Sequence, residues 1–349
     1  MRIQKWLPLA AAVTLLLIGF GCGTQQSVEV DPAVLTTFAP LPDAMPASVG
    51  AATDEQIALG RMLYYEARLS MTQTISCNSC HDLTNYGVDG EPTSEGHKGQ
   101  RGDRNSPTVY NAAGHFVQFW DGRAVDVEEQ AKGPVLNPVE MALPSEAHAL
   151  AVLKSMPEYV EAFNKAFPGE ADPVTFDNMA KAIGAFERNL TTPARWDDFL
   201  KGDQNALSDQ EKTGFQTYVA AGCPTCHAGA LMGGNLYQKL GLLKPYDDQS
   251  DPGRFKVTDN ERDRMVFKVP SLRNVEKTGP YFHNGQVAAI EDAVAKMAEH
   301  QLGKKLNDEE IGSIVAWLKT LTGRIPADYV QKPALPPSTV RTPKPETGV

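Results

Sequence analysis

The chain has 349 residues, of which 42% are hydrophobic and 22% charged, a balance that excludes disordered and fibrous classes and fits a soluble globular protein. Its length suits about two domains of ordinary size. A formal charge of −10 at pH 7 gives no basic footprint, so nucleic-acid binding is excluded; the acidic surface could dock a basic electron donor or simply aid solubility.

Arg2 and Lys5 precede an apolar run from Leu7 to Phe20, then Gly21-Cys22-Gly23. Residues 1–22 read as a secretory signal segment, too short for a membrane span, so the mature protein is expected outside the cytoplasm, in the periplasm. Cys22 sits where a lipoprotein signal places its lipidated cysteine, although Gly19 and Phe20 depart from that pattern. A lipid anchor at Cys22 and an ordinary cleavage nearby both stay open. Residues 23–50 carry Pro40, Pro42 and Pro46 and read as a linker or an arm wrapped on the surface.

Order is expected from Thr53, a helix N-cap followed by Ile57, Leu59, Met62 and Leu63 at helical spacing. That helix leads into Cys77-Asn78-Ser79-Cys80-His81. Residues 82–111 are rich in glycine and proline and predict a long irregular loop, with His97 at its middle. Aromatics follow (Tyr110, Phe116, Phe119, Trp120), then Gly133, Pro134 and Pro138 before Glu140. Helices are expected over 146–156, 157–166 and 175–190. Ser208 with Glu211 opens another by a capping box, running through Val219 into Cys223-Pro224-Thr225-Cys226-His227. Residues 232–280 are again loop-rich. A helical stretch over 291–300 holds Met297, and a last helix spans 308–321, capped by Asn307 and Glu310 and stopped by Gly323. The proline-rich tail from Pro333 reads as extended. Alternating apolar residues are scarce. The expected fold class is therefore mainly α, with long loops and little β.

Each C-x-x-C-H motif can hold one haem: the thiols add to its vinyl groups and the histidine is delivered to the iron. A lone C-x-x-C could instead be a redox pair or half a zinc site. Two copies with the histidine, using four of the five cysteines of an exported chain, favour two covalent c-type haems. Helix followed by motif occurs twice, a weak internal repeat that argues for two related haem domains. The sixth iron position decides function. His97, His115, His148, His283 and His300 and several methionines are candidates for it, and composition does not choose among them. Peroxide chemistry would further need a distal acid/base. Glu140, between Val139 and Met141, could have its pKa raised by an apolar setting, but by residue type it is one acid among many.

The stretches Arg104-Asn105-Ser106-Pro107-Thr108-Val109, Gln118-Phe119-Trp120-Asp121-Gly122-Arg123-Ala124, Glu129-Gln130-Ala131-Lys132-Gly133-Pro134 and Asn137-Pro138-Val139-Glu140-Met141 closely resemble the bacterial di-haem cytochrome c peroxidases. So do Ser271-Leu272-Arg273-Asn274 and Gly279-Pro280-Tyr281-Phe282-His283-Asn284-Gly285. The resemblance runs from about residue 50 to 325. It implies two cytochrome-c-like haem domains: residues 51–190, the peroxidatic one with the 325–349 tail packed back on it, and residues 191–324, the electron-transfer one. It implies His81 as proximal ligand of the low-potential haem and His97 as a ligand that leaves on reductive activation. Glu140 becomes the distal acid/base with Gln130 beside it. His227 and Met297 become ligands of the high-potential haem, and Trp120 a bridge between the haems. Asn105, Thr278 and Pro280 match a calcium site, where oxygen donors suit the ion. The implied activity is reduction of hydrogen peroxide to water, with electrons from a small cytochrome c or cupredoxin, by a homodimer. Two alternatives remain beside it: a di-haem electron carrier, and a related di-haem enzyme oxidising a protein partner. A carrier needs neither a releasable His97 nor Glu140. The protein-oxidising relatives carry a tyrosine where this chain has Met297.

Overall fold

The computed structural model describes residues 28–47 and 50–346. The signal segment and Cys22 lie outside the described residues. The helices are α1 (Pro32–Leu35), α2 (Asp54–Tyr64), α3 (Cys77–Cys80), α4 (Val127–Leu136), α5 (Glu146–Lys154), α6 (Pro157–Ala166), α7 (Phe176–Glu187), α8 (Arg195–Leu200), α9 (Asp209–Ala221), α10 (Phe255–Thr258), α11 (Ile290–Leu302) and α12 (Asp308–Leu318). Strands β1 (Tyr237–Lys239) and β2 (Val266–Lys268) form an antiparallel pair inside the expected loop region. The chain is mainly helical with little strand.

Local chemistry explains the starts. Thr53 and Gln56 form a reciprocal capping box on α2, Ser208 and Glu211 on α9, and Asn307 and Glu310 on α12. The last expected helix ends earlier than read: α12 stops at Leu318 and a 3₁₀ turn over Lys319–Leu321 completes it. Helix α4 was not expected, because Gly133 and Pro134 read as breakers. Asp126 caps it by accepting from the Glu129 N–H at 2.8 Å, and Pro134 lies inside its last turn, where it leaves one helical carbonyl without its N–H partner. Helix α8 was also not expected; its six residues are too few to show a period.

Two helix pairs carry the architecture, and they are built alike. In the first, α2 crosses α7 at Gly60, where an added Cβ would lie 1.8 Å from the Ala182 carbonyl oxygen. In the second, α9 crosses α12 at Gly214, where an added Cβ would lie 1.9 Å from the Ser313 oxygen. Glycine permits this close backbone approach. Four residues on, Tyr64 packs on Phe186 at 5.4 Å and Tyr218 on Trp317 at 4.3 Å between ring centroids. The first pair closes over Leu59, Leu63, Met156, Tyr159, Phe163, Met179 and Ile183. The second closes over Trp196, Phe199, Phe215, Ile314 and Leu318. Burying each such side chain contributes about 1.5–3 kcal/mol relative to exposure.

The N-terminal segment is an arm rather than a tether. Phe38 enters the second core against Trp196 (5.8 Å) and Phe215 (5.4 Å), and Leu41 N–H donates to Asp197 at 2.8 Å. The tail runs the other way, over α2 and α7. The Tyr329 hydroxyl donates to the Phe186 carbonyl (2.8 Å), Tyr65 donates to the Val330 carbonyl (2.5 Å), and Glu346 N–H donates to the Met71 carbonyl (2.9 Å).

Candidate haem and distal site

Each helix pair presents its own C-x-x-C-H motif. The Tyr64 hydroxyl donates to the His81 carbonyl at 2.7 Å, and the Tyr218 hydroxyl donates to the His227 carbonyl at 2.5 Å. The tyrosine on the crossing helix thus fixes the backbone of the histidine that follows the cysteines. None of Cys77, Cys80, Cys223 and Cys226 forms a disulfide. Burial pushes Cys77 up to about 12, and Cys80 and Cys223 to about 11. Such thiols are poor redox nucleophiles. Among the described residues no three His, Cys, Asp or Glu side chains converge as a metal cage would require. These features fit thioether attachment of a haem with one histidine ligand, and do not fit a zinc site.

The two histidines differ in their surroundings. His227 Nδ1 lies 3.1 Å from the Met232 carbonyl oxygen, which orients the ring and leaves Nε2 for a ligand role. His81 is half-buried, its Nδ1 enclosed beside Gly87 and Pro107 and without a hydrogen-bond partner. Burial holds both imidazoles below the usual histidine range, so both are neutral and able to bind a metal.

The glycine-rich loop folds His97 onto the segment that carries Glu140. His97 N–H donates to the Val139 carbonyl (3.0 Å) and the Glu140 carbonyl (2.8 Å). Gly96 makes this possible, since a Cβ there would lie 2.0 Å from the Val139 oxygen. The imidazole is buried with Nδ1 unpartnered, and Nε2 lies 3.6 Å from the Glu346 carboxylate of the tail. Lys98 at positive φ turns the loop and pairs with the same carboxylate at 3.0 Å. Glu140 itself accepts from the Asn137 amide at 2.8 Å. Burial raises its pKa, opposed by Arg123 and by the Asn137 bond. It is close enough to Cys80 to add, with Asp89, to the rise of that thiol. Two segments far apart in sequence therefore meet beside the first motif. Gln130 is half-buried on α4, the helix that delivers Glu140. Asn137 and Arg123 carried no sequence role; an Asx turn three residues before Glu140 was the readable signal for the first.

A "Cytochrome c551 peroxidase" of Pseudomonas aeruginosa is 44% identical over 351 residues, covering 99% of this chain and 99% of that protein. The chain belongs to the di-haem cytochrome c peroxidase family, which is a family of enzymes. A "Cytochrome c551 peroxidase" of Nitrosomonas europaea is 49% identical over 288 residues, covering 82% of this chain and 85% of that one. The family model described as di-haem cytochrome c peroxidase matches residues 54–205. Among solved structures, a MauG-like protein associated with microbial copper homeostasis superposes with a TM-score of 0.73 at 27% identity, covering 84% of this chain and 97% of that one. The family carries two c-type haems, matching the two motifs.

The remaining candidates of this di-haem peroxidase chain fall in distinct places. Met297 is on α11, packed with Trp120 and Phe282 against Leu240, Tyr246, Met265 and Phe267. Trp120 donates through Nε1 to the Asn105 carbonyl at 2.9 Å. Asn105 is buried, its amide nitrogen bonded to the Glu91 carbonyl (3.0 Å) and its backbone N–H to the His283 carbonyl (2.8 Å). These bonds join Asn105 to the 279–285 loop through His283; neither Thr278 nor Pro280 bonds to it. Of the other histidines, His283 stacks on Phe267 at 4.4 Å, His300 Nδ1 lies 3.0 Å from the Pro245 carbonyl, and His148 is half-buried on α5. His115 Nδ1 lies 2.8 Å from Lys268 Nζ.

Proposed function

We propose that the protein is a di-haem c-type peroxidase that reduces hydrogen peroxide to two waters with two electrons and two protons. His81 and His227 hold the two haems through Cys77 and Cys80 and through Cys223 and Cys226, with Met297 as the second ligand beside His227. When bound, the haem at His81 supplies the iron that takes up peroxide and delivers electrons to it. The observation that carries the reading is the junction of the His97 loop with the Glu140 segment beside Cys80, because an electron carrier needs neither group. Glu140, its pKa raised by burial, takes the proton from one peroxide oxygen and returns it to the departing one. Asn137 orients the carboxylate by its 2.8 Å bond, and Gln130 lines the same pocket. His97 would be a second ligand for that haem in the oxidised protein and would leave it on reduction, on a loop with Gly96 and Gly99.

Electrons enter at the second helix pair from a small cytochrome c or cupredoxin and cross by way of Trp120, which contacts the Met297 cluster and the Asn105 segment. Asn105, Thr278 and Pro280 hold calcium between the two units, and the enzyme works as a periplasmic homodimer. Methionine at 297 favours this reading over oxidation of a protein partner.

The test is to add one electron per chain with calcium present and record the absorption spectrum. One haem should become high-spin and the sample should then consume peroxide. Two haems that stay low-spin, with no peroxide consumed, would sink the reading.

A further inference from the structure

Lys268 is 6% exposed, and among the described residues no carboxylate lies within ion-pairing distance of it. The other deeply buried cation of this region, Arg273, is bound by Asp197 at 2.8 Å. Burial without a counter-ion pushes Lys268 down to about 7, so it holds its charge fully only where an anion lies beside it. The partner Lys268 does have, His115 Nδ1, is not an anion. Beside an anion Lys268 is an ammonium, which donates and cannot accept; His115 Nδ1 then accepts and its proton resides on Nε2. That Nε2 is itself buried and without a partner. Lys268 thus keeps N–H bonds for which the described residues provide no carboxylate, while His115 Nε2 lies on the opposite edge of the ring, beside Gly234.

The pair is built rather than incidental. His115 lies against Gly234, where an added Cβ would be 2.2 Å from its ring, so only glycine admits the imidazole there. Gly234 N–H donates to the Val269 carbonyl at 2.8 Å, and Lys268 N–H donates to the Trp120 carbonyl at 2.7 Å. Position identifies what Lys268 faces. His227 sits against the carbonyls of Met232 and Pro270. Gly234 and Lys268 are each two residues from those contacts. We infer that Lys268, positioned by His115, binds a propionate of the haem held by His227 and sets its charge environment. This assignment rests on covalent haem at Cys223 and Cys226. The chemistry requires only a buried carboxylate, and either haem carries propionates, so the test separates the two.

The experiment uses the holoenzyme and its Lys268→Met, Lys268→Arg and His115→Leu variants. It measures covalent haem per chain and the midpoint potential of each haem by spectroelectrochemical titration at one pH. Lys268→Met leaves the propionate charge uncompensated and favours ferric iron. At a fixed applied potential the reduced-to-oxidised ratio of the His227 haem should fall about tenfold, equivalent to about 59 mV for one electron. Lys268→Arg should shift it less, and His115→Leu should shift it in the same direction; the latter keeps the test alive where Lys268→Met does not take up haem. Two haems with both potentials unmoved in Lys268→Met and His115→Leu would overturn the site. A shift confined to the His81 haem would overturn its assignment to the His227 haem. A wild-type chain with fewer than two covalent haems would overturn the assignment together with the reading beneath it.

Discussion

The first and second helix pairs share a scaffold and differ in what they bring to their histidines. Gly60 with Tyr64 and Gly214 with Tyr218 occupy matching places, and both tyrosines bond the carbonyl of the motif histidine. Around His81 the chain then adds a glycine-rich loop carrying His97 and a carboxylate of raised pKa. Around His227 it adds an apolar cluster with Met297, an arm and a buried ion pair. The comparison teaches that the helix crossing only presents the motif. On the function proposed, reactivity would follow from the segments laid over each motif, polar beside His81 and apolar in the second unit.

The sharpest way to break that contrast is Glu140→Gln. Peroxide turnover should fall by about 10²–10⁴-fold while both haems stay attached. Unchanged turnover would remove the acid/base from the first unit. The second unit's rigidity is tested by Asp197→Ala, which leaves Arg273 buried and unpaired and also removes the acceptor of Leu41 N–H. It should destabilise by about 3–5 kcal/mol in chemical denaturation. The likeness of the scaffolds is tested by Gly60→Ala and Gly214→Ala. Each drives a methyl into a backbone oxygen and should cost about 1–3 kcal/mol or more, with closely similar losses in melting temperature. A large loss from one and none from the other would show that the crossings are not equivalent.

Two smaller effects concern the first unit alone. His97→Gly should turn over peroxide without prior reduction, a change in the lag of the assay rather than in its final rate. An inactive variant with intact haems would count against a blocking role. Glu187, buried beside Glu128, has its pKa raised to about 8 by burial and then by that neighbour. Its folded pKa lies above its unfolded value of about 4.3, so its contribution is present at low pH and is lost as pH rises from there towards 8. Glu187→Gln should therefore gain stability over the parent across that window and behave like it below. A difference independent of pH would show that Glu187 is not protonated in the fold.

Much of this was legible in the chain. The capping boxes at Thr53, Ser208 and Asn307 are local chemistry, so those helix starts were readable, as was the mainly helical class. Helix α4 was not, because Gly133 and Pro134 are breakers by local propensity, and burial of Val127, Ala131 and Val135 in the packed chain overrides them. The motifs named the haem histidines by adjacency. They could not choose among the other histidines and methionines, since pairing across 153 positions, as between His115 and Lys268, leaves no local pattern.

The sequence by itself determined the two haem anchors, the helices that lead into them, and through its motifs the family. Covalent attachment depends on residues a few positions apart, which sequence spacing specifies. The tertiary structure alone decided that His97 meets the Glu140 segment, that the arm enters one core and the tail covers the other, and that Lys268 lies buried against His115. Those outcomes depend on which distant surfaces exclude water together, and burial is a property of the packed chain rather than of any stretch of it.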